Sequence, residues 1–172
     1  MKIDIKLSPD SIDAAIKKLE DYDRQMQDKC KEVSKRLAEL GMDVINATYT
    51  GAAYAGTNDI SVDLEFGERS CKIVANGSVL GFIEFGTGIK YPLGEFADQA
   101  GAPPHGSYGQ GRGGTGNKWG YKGEPGNLGQ PDNKRPGLYW TDGNPPANAF
   151  PAAVKEIQEQ ATEIAREVFR FD

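Results

Sequence analysis

Apolar residues recur at helical spacing in a long stretch near the start of the chain, from residue 9 to about residue 46. Ser8 can cap this stretch, and Pro9 suits a first helical position. Two apolar rows then step by seven residues: Ile12, Leu19, Met26, Val33 and Leu40 in one row, and Ile16, Cys30, Leu37 and Val44 in the other. The pattern predicts one long amphipathic helix, with Gly41 as a point where it bends or ends early. Such a stripe more often packs within its own domain than in a coiled coil.

A second helical stretch lies near the other end of the chain. Pro151 stands at its first turn, which is where proline is tolerated in a helix. Its apolar positions step by three and four residues: Phe150, Val154, Ile157, Ala161, Ile164, Val168 and Phe171. These positions predict a C-terminal helix that covers the same face of a sheet as the first helix.

Between the two helices the apolar spacing changes to alternation. Residues 60–66 (ISVDLEF) have apolar and polar side chains on opposite sides, which predicts a half-buried strand. Residues 71–75 form a second short strand, and the Asn76-Gly77 pair that follows is a strong signal for a hairpin turn. We therefore expect residues 78–85, which end in GFIEF, to be a third strand. Glu84 then faces solvent or lies at the edge of the sheet.

Glycine and proline punctuate the chain every few residues from 86 to 137, and the apolar residues there follow neither period. Residues 138–141 (LYWT) can then form a short fourth strand. We expect residues 89–137 to be an extended interaction loop that is mobile in the isolated subunit, because loops longer than roughly 15 residues are usually functional or disordered. Residues 1–172 are then one α+β domain, with a helix at each end and a three- to four-stranded antiparallel sheet.

The charge and the cysteines narrow the class of protein. The formal net charge is −5, which argues against a protein that wraps nucleic acid over its whole surface. Cys30 and Cys71 are far apart, with no cluster of cysteine or histidine near either, so we expect reduced thiols. The first ten residues lack the apolar core of a signal peptide, and no run approaches the roughly 18 apolar residues of a membrane span. We expect a soluble protein made in a cytoplasm.

The sequence contains no convincing catalytic or cofactor motif. His105 is the single histidine, and no nearby group is positioned to orient it as a base or a metal ligand. The glycine-rich run GQGRGGTGNKWG lacks the lysine and hydroxyl spacing of a phosphate-binding loop, and it does not join a predicted strand to a helix. We therefore expect no enzyme activity, no cofactor and no metal.

Basic and aromatic residues are interleaved in the predicted loop. Between residues 102 and 138 there are five basic and two acidic residues, a net charge of +3, which leaves −8 for the rest of the chain. The candidate interaction residues are Arg112, Lys118, Trp119, Tyr121, Lys122, Lys134 and Arg135. Such groups on a flexible backbone can contact nucleic acid through phosphates and base stacking. A mildly basic loop that is ordered only by neighbouring subunits is the alternative.

Two segments together resemble a known family. The first is FIEFGTG, with Glu84, Phe85, Gly86, Thr87 and Gly88; the second is YWTDGNPPANAFPAAVKEI, with Thr141, Gly143, Pro145, Pro146, Phe150 and Ala153. Their order, between an N-terminal helix and a C-terminal helix, resembles the neck or tail-completion proteins of long-tailed bacteriophages, which are also described as head–tail connectors or minor tail components. The resemblance covers residues 9–88 and 138–170. The long loop is a departure, because the connection is commonly shorter in that family.

The resemblance implies a structural role in the virion. A member of this family would form a ring of identical subunits, six by expectation and twelve as the alternative, between the DNA-filled head and the tail. Its partners would be copies of itself, head-closure or connector proteins, and tail-tube or tail-terminator proteins. It would be assembled in the bacterial cytoplasm, and its loop would reach a neighbouring ring or the DNA channel. The other open interpretation is a nucleic-acid-binding module that uses the basic, aromatic loop. A tail-borne cell-wall hydrolase has little support.

Overall fold

The computed structural model describes residues 8–68, 70–102 and 118–170. In chain order the elements are α1 (Pro9–Gly51), β1 (Ser61–Phe66), β2 (Cys71–Asn76), α2 (Leu80–Glu84), β3 (Trp119–Lys122), β4 (Gln130–Pro131), β5 (Leu138–Thr141) and α3 (Ala149–Val168). The predicted α+β class is confirmed, with a long helix at one end and a shorter helix at the other. None of the helices in these ranges is both long and apolar enough to cross a membrane.

The two long helices pack against each other in opposite directions. At 1.5 Å per residue, the 43 residues of α1 span about 64 Å and the 20 residues of α3 span about 30 Å. The end of α3 lies beside the middle of α1, where the Lys29 ammonium donates to the carbonyls of Val168 (2.8 Å) and Arg170 (3.2 Å). Because α3 is so much shorter, it covers only the C-terminal half of α1.

At Gly41, side chains of β2 and α3 approach α1 closely, and the glycine does not interrupt the helix. The helix runs through Gly41 and continues to Gly51, beyond the predicted end near residue 46. A Cβ atom at Gly41 would lie 2.6 Å from Cδ1 of Ile73 on β2 and 2.7 Å from Cδ1 of Ile157 on α3. The absence of a side chain therefore lets both elements pack on α1 at one point, although glycine costs a helix about 1 kcal/mol relative to alanine.

The first sheet contains only β1 and β2, paired antiparallel with Val62 opposite Ala75 and Leu64 opposite Ile73. The predicted third strand over residues 78–85 is wrong, because this segment turns at Gly77 and forms the short helix α2. Hydrogen bonds from Leu80 N to Gly77 O and from Ile83 N to Val79 O close its turns. A short apolar run such as VLGFI fits a helix and a strand equally well, so its spacing could not decide between them.

A second antiparallel sheet, with strand order β3-β5-β4, joins the predicted strand at residues 138–141 to two strands from the tract for which no strand was predicted. The short strand at residues 138–141 is confirmed, but it pairs with β3 and β4 and not with the first sheet. The predicted interaction loop over residues 89–137 therefore contains two short strands, β3 and β4, in residues 118–137; residues 103–117 lie outside the described part of the chain. Strands of two and four residues are too short to show a period.

The turn between β3 and β4 is joined to the residues that follow α1, with Asn127 at the centre of the contact. The Asn127 side chain accepts a hydrogen bond from Tyr54 N (2.7 Å) and donates one to Ala52 O (2.9 Å). The backbone N–H groups of Asn127 and Leu128 both donate to Tyr54 O. Part of the glycine-rich tract therefore docks on the body of the protein.

One cluster of buried apolar residues lies where the last turns of α1, the helix α2 and the first turns of α3 meet. They are Ile45, Tyr49, Ala52, Ile83, Ala149 and Ala153. Ile45 and Ile83 are the largest side chains that are fully buried. This cluster supports the region that contains both sequence motifs.

Candidate functional site

Glu84 is buried beside the start of α3, so the expectation that it faces solvent or lies at a sheet edge is wrong. Its side chain is 3% exposed. One carboxylate oxygen, Oε2, accepts hydrogen bonds from the Tyr49 hydroxyl (3.0 Å) and from Ala149 N (2.9 Å). The other oxygen, Oε1, accepts one from Phe150 N (3.1 Å). Glu84 thus joins the end of α1 to the beginning of α3.

The carboxylate of Glu84 caps the N-terminus of α3, in place of a side chain at the N-cap position itself. Asn148, at the N-cap position, has left-handed backbone geometry (φ 52°) and makes no side-chain capping bond. The first backbone N–H groups of a helix lack partners within it, and they carry the positive end of the helix dipole. Glu84 satisfies two of them and places a negative charge at that end. A buried carboxylate can persist here because its three donors compensate for the water it has lost.

Tyr49 is held as a hydrogen-bond donor by its surroundings. Burial, the negative charge of Glu84 and the hydrogen bond to its carboxylate all raise the pKa of the Tyr49 phenol above its ordinary value. The phenol therefore stays protonated and keeps donating to Glu84. This contact is a structural clamp, and the sequence motif gave no sign of it because Tyr49 lies in a different element.

The two sequence motifs lie against each other. Thr87 N donates to Asn144 O (2.9 Å), and Asn144 N donates to the Thr87 hydroxyl oxygen (2.9 Å), so the segments after α2 and after β5 are joined in both directions. The Thr141 hydroxyl oxygen accepts a bond from Gly143 N (3.1 Å), which tightens the turn after β5. Both threonines and Asn144 are buried.

Glycine is required where the two motifs touch. Gly88 has φ +84° and Gly143 has φ +120°, conformations that L side chains rarely adopt. A Cβ atom at Gly143 would lie on the carbonyl of Thr87, and one at Gly88 would lie 2.5 Å from Asp142 O. The backbones approach too closely for a side chain at either position.

The remaining motif residues continue the same contact toward α3. Gly86, also at positive φ, lies against Pro146, and the backbone N–H of Ala147 donates to Ile83 O (2.9 Å). Phe85 is half-buried and its carbonyl accepts from Gly94 N (2.9 Å). Pro145 and Phe150 are also half-buried. We call residues 84–88 and 141–150 together the motif junction. These ranges contain ten of the eleven motif residues, and the eleventh, Ala153, is buried in the first turns of α3.

Some basic residues in and near the second sheet form ion pairs, and others are exposed to solvent. Lys118 lies 3.3 Å from one oxygen of Asp142, and Lys90 lies 3.3 Å from the other. Partial burial acts to raise the pKa of Asp142, but the hydrogen bonds from Lys90 and Lys118 outweigh it and hold that pKa below its usual range. Lys122 and Lys134 are exposed, and Arg112 lies outside the described residues.

The aromatic residues of this sheet are used for packing within the protein. The Tyr121 hydroxyl donates to Pro125 O (2.8 Å), and its ring lies 5.9 Å from that of Tyr139 between centroids. Trp119 is half-buried. The Arg135 guanidinium lies 5.6 Å from the Trp140 ring and pairs with Asp132 at 2.9 Å. Arg135 and Tyr121 are therefore already engaged, which reduces what this sheet offers to a nucleic acid.

The Asp132 carboxylate should stay ionised well below the usual range for aspartate. Hydrogen bonds from the Arg135 guanidinium, the Trp140 indole and Lys134 N hold its pKa low. A lowered folded-state pKa stabilises the fold above the unfolded pKa of about 3.9, and this contribution is lost as the pH falls through the folded-state value. We expect the Trp140 indole proton resonance to titrate with a midpoint clearly below the pKa of about 3.9 of an ordinary aspartate. NMR titration with the Trp119 indole as control checks this; a midpoint near 4 would contradict it.

A small pocket of about 120 Å³ opens at the motif junction. Its walls include Phe82, Thr87, Trp119, Thr141 and Asn144. Small-molecule sites usually measure roughly 300–1,000 Å³, so this pocket is too small for a nucleotide or a similar cofactor. Within the described residues no three acidic, histidine or cysteine side chains are grouped to hold a metal ion. The arrangement is suited to holding elements together.

No protein-family model, no curated protein and no solved structure matches this chain. The resemblance to phage neck proteins therefore depends on the motif residues themselves. Sequence reasoning identified these residues as two separate motifs and missed Tyr49, Asn127 and Asn144, which bind the elements around them. Their hydrogen bonds span 35 to 89 residues along the chain, so no local pattern could reveal them.

Proposed function

We propose that this chain is a structural, non-catalytic protein of a phage neck, which forms a ring that completes the tail or joins it to the DNA-filled head. The observation that carries the proposal is the motif junction. The two motifs that resemble the neck family lie far apart in the sequence, yet they pack as one buried unit. The motif residues would then share one structural role: they fix the start of α3 and the base of the segment between the motifs.

The motif junction closes the base of the segment formed by residues 89–140. Both ends of that segment meet there, because Gly88 lies against Asp142 and Gly143. Lys90, near the start of the segment, and Lys118, just before β3, pair with the same carboxylate of Asp142. A segment held at its base can be long without loosening the body, since the entropy cost of closing a loop rises only slowly with its length. Such a segment suits an adaptor that must reach a neighbour from a rigid frame.

The partners follow from this role. Copies of the same chain would form the ring, with six subunits as the expected number. A head-closure or connector protein would meet one side of the ring, and a tail-tube or tail-terminator protein would meet the other. Lys122 and Lys134 are exposed and would make weak, non-specific contacts with the phosphates of DNA in the channel. The protein would be assembled in the bacterial cytoplasm and would remain in the virion.

Electron microscopy of lysates tests this proposal. The phage that encodes the chain would carry a nonsense mutation in its gene, and a plasmid copy would serve as the rescue control. We expect DNA-filled heads and separate tails without the plasmid, and joined particles with it. Normal, joined virions from the mutant would overturn the neck role and favour the nucleic-acid-binding alternative. The gene is also expected to lie between the head-closure and tail-tube genes.

A further inference from the structure

The small pocket at the motif junction is built by four separate segments of the chain. Trp119 and Tyr121 are alternate residues of β3, so they lie on the same face of that strand. Ala55 comes from the residues that follow α1, and Phe82 comes from α2. The remaining wall is polar and consists of Thr87, Thr141 and Asn144. Apolar and aromatic walls with a few fixed polar groups are typical of a binding pocket.

Asn144 places a hydrogen-bond donor without a partner in this polar wall. The residue is 5% exposed, and its backbone N–H and carbonyl are both bonded to Thr87. Its Oδ1 accepts from Ala55 N (2.8 Å), which fixes the amide so that Nδ2 points away from that contact. No described residue accepts a hydrogen bond from Nδ2. Among the described side chains, no fully buried nitrogen or oxygen lacks a partner, so Nδ2 reaches the surface that Asn144 lines, which is the pocket.

The Thr87 hydroxyl provides a second donor. Thr87 is 9% exposed, and its Oγ1 accepts from Asn144 N (2.9 Å). A hydroxyl also has one proton to donate, and no described residue accepts it. The Thr141 hydroxyl, by contrast, both accepts from and donates to the backbone of Gly143. The pocket therefore requires a hydrogen-bond acceptor, because nearly all buried polar groups in proteins are hydrogen-bonded.

The size and the charge of the surroundings select a small, neutral acceptor. At about 30 Å³ for each water-sized group, a pocket of about 120 Å³ holds about four non-hydrogen atoms. The motif junction contains two carboxylates, Glu84 and Asp142, and no basic residue. Lys90 and Lys118 reach it, but both pair with Asp142. Since a carboxylate loses much of its hydration in such a site, a neutral carbonyl group fits it better than an anion.

We propose that this pocket binds the side-chain amide of an asparagine or glutamine that a segment of another polypeptide chain presents. The CH₂–CO–NH₂ end of either side chain has four non-hydrogen atoms. Its carbonyl oxygen accepts from Asn144 Nδ2 and from the Thr87 hydroxyl, and its flat face lies against Trp119 and Tyr121.

A polypeptide suits the pocket better than a free small amide. Phe82 lines the pocket and is 38% exposed, so the apolar surface continues from the pocket to the outside of the protein. A peptide backbone beside the inserted side chain covers that surface, whereas a free amide leaves it in water. One side chain inserted into a pocket is a common anchor of protein interfaces. The contact does not depend on a ring or on the neck role.

NMR titration of the ¹⁵N-labelled full chain tests the chemistry of the site. Acetamide, acetone and acetate have the same number of non-hydrogen atoms and nearly the same shape. Acetamide and acetone should shift the Asn144 side-chain amide and the Trp119 indole resonances saturably, with about millimolar affinity because so few atoms make contact. Acetate should bind roughly tenfold more weakly. Binding of acetate as tight as that of acetamide, or no shift with any of the three, would overturn the site.

Short peptides test the source of the amide. Pentapeptides with asparagine or glutamine between glycines should displace acetamide, and they should bind roughly tenfold more tightly than the peptides with aspartate or leucine. The leucine peptide controls for binding through the backbone alone. Binding of acetamide without binding of any peptide would overturn the polypeptide as the occupant.

Two variants assign the binding to the pocket. Asn144→Asp keeps an acceptor for Ala55 N but replaces Nδ2 by an oxygen, so it should bind acetamide roughly tenfold more weakly. Ala55→Leu fills the pocket without removing its backbone N–H, so it should abolish binding, and it keeps the test decisive if Asn144→Asp does not fold.

Asn148→Asp is the matched control for these variants. Asn148 Oδ1 also accepts from a backbone N–H, that of Glu95 (2.7 Å), but Asn148 does not line the pocket. This variant should bind acetamide like the wild type. A folded Ala55→Leu that binds like the wild type would overturn the pocket as the site, and the same result for Asn144→Asp would overturn Nδ2 as the donor.

Discussion

Replacing Glu84 by glutamine is expected to lower the free energy of unfolding by about 2–3 kcal/mol, although the side chain keeps its shape. The carboxylate accepts from Tyr49 and Ala149 on one oxygen and from Phe150 N on the other. A carboxamide offers one oxygen, so its NH₂ group would face at least one backbone donor. The variant also removes the negative charge at the start of α3. Glu84→Ala should cost about 3–5 kcal/mol, because it leaves three buried donors without partners. Chemical denaturation measures both effects.

Two controls separate the parts of the Glu84 contact. Tyr49→Phe removes one donor and leaves the two bonds to α3, so it should cost about 1 kcal/mol. Glu95→Gln changes an exposed carboxylate near the same junction and should cost less than about 0.5 kcal/mol. If Glu84→Gln were as mild as Glu95→Gln, the buried cap described for α3 would be wrong.

Gly143→Ala is the second substitution for which we expect a large effect, a loss of about 3–5 kcal/mol. The backbone of Gly143 has φ +120°, and a Cβ atom there would overlap the carbonyl oxygen of Thr87. Because the obstacle is backbone, the two motifs would have to separate. Unfolding in urea, followed by circular dichroism, provides the measurement.

A second glycine at positive φ, with open space around it, provides the control for the steric effect. Gly137 has φ +77°, and apart from its chain neighbours no atom of the described residues lies within 4 Å of the position that its Cβ would take. Gly137→Ala should therefore cost only about 1–2 kcal/mol of backbone strain. Equal losses for Gly137→Ala and Gly143→Ala would mean that the close approach of the two motifs is not present in solution.

The helices and the first sheet could be predicted because their information is local. The heptad rows of α1 and the alternation in ISVDLEF reflect which side of each element is buried. In both cases many residues follow the same apolar spacing, which makes the prediction secure. The segment VLGFI was too short for such repetition and was assigned to a strand instead of α2. The strands β3 and β4, with four and two residues, were not predicted for the same reason.

The sequence revealed the residues of the motif junction but not the contact between them. Gly86, Thr87 and Gly143 were recognisable as motif residues, but their mutual contact depends on the path of the chain between them. Glu84 was expected to face solvent or lie at a sheet edge, because a carboxylate after an apolar run usually faces water. Its burial depends on donors from Tyr49 and from the start of α3, which lie 35 and 65 residues away. Such a site becomes apparent only when three elements meet.

The measurement that tests the proposed neck role most directly starts from a phage whose genome carries the gene for this chain, as the proposal requires. It is a cryo-electron microscopy reconstruction of the neck of the intact virions. We predict a ring between head and tail whose subunits show a helix about 64 Å long packed against one of about 30 Å. The motif junction should be traceable in each subunit, from Glu84 to the start of α3. A neck whose density is fully explained by other proteins, with this fold absent from the particle, would contradict the account.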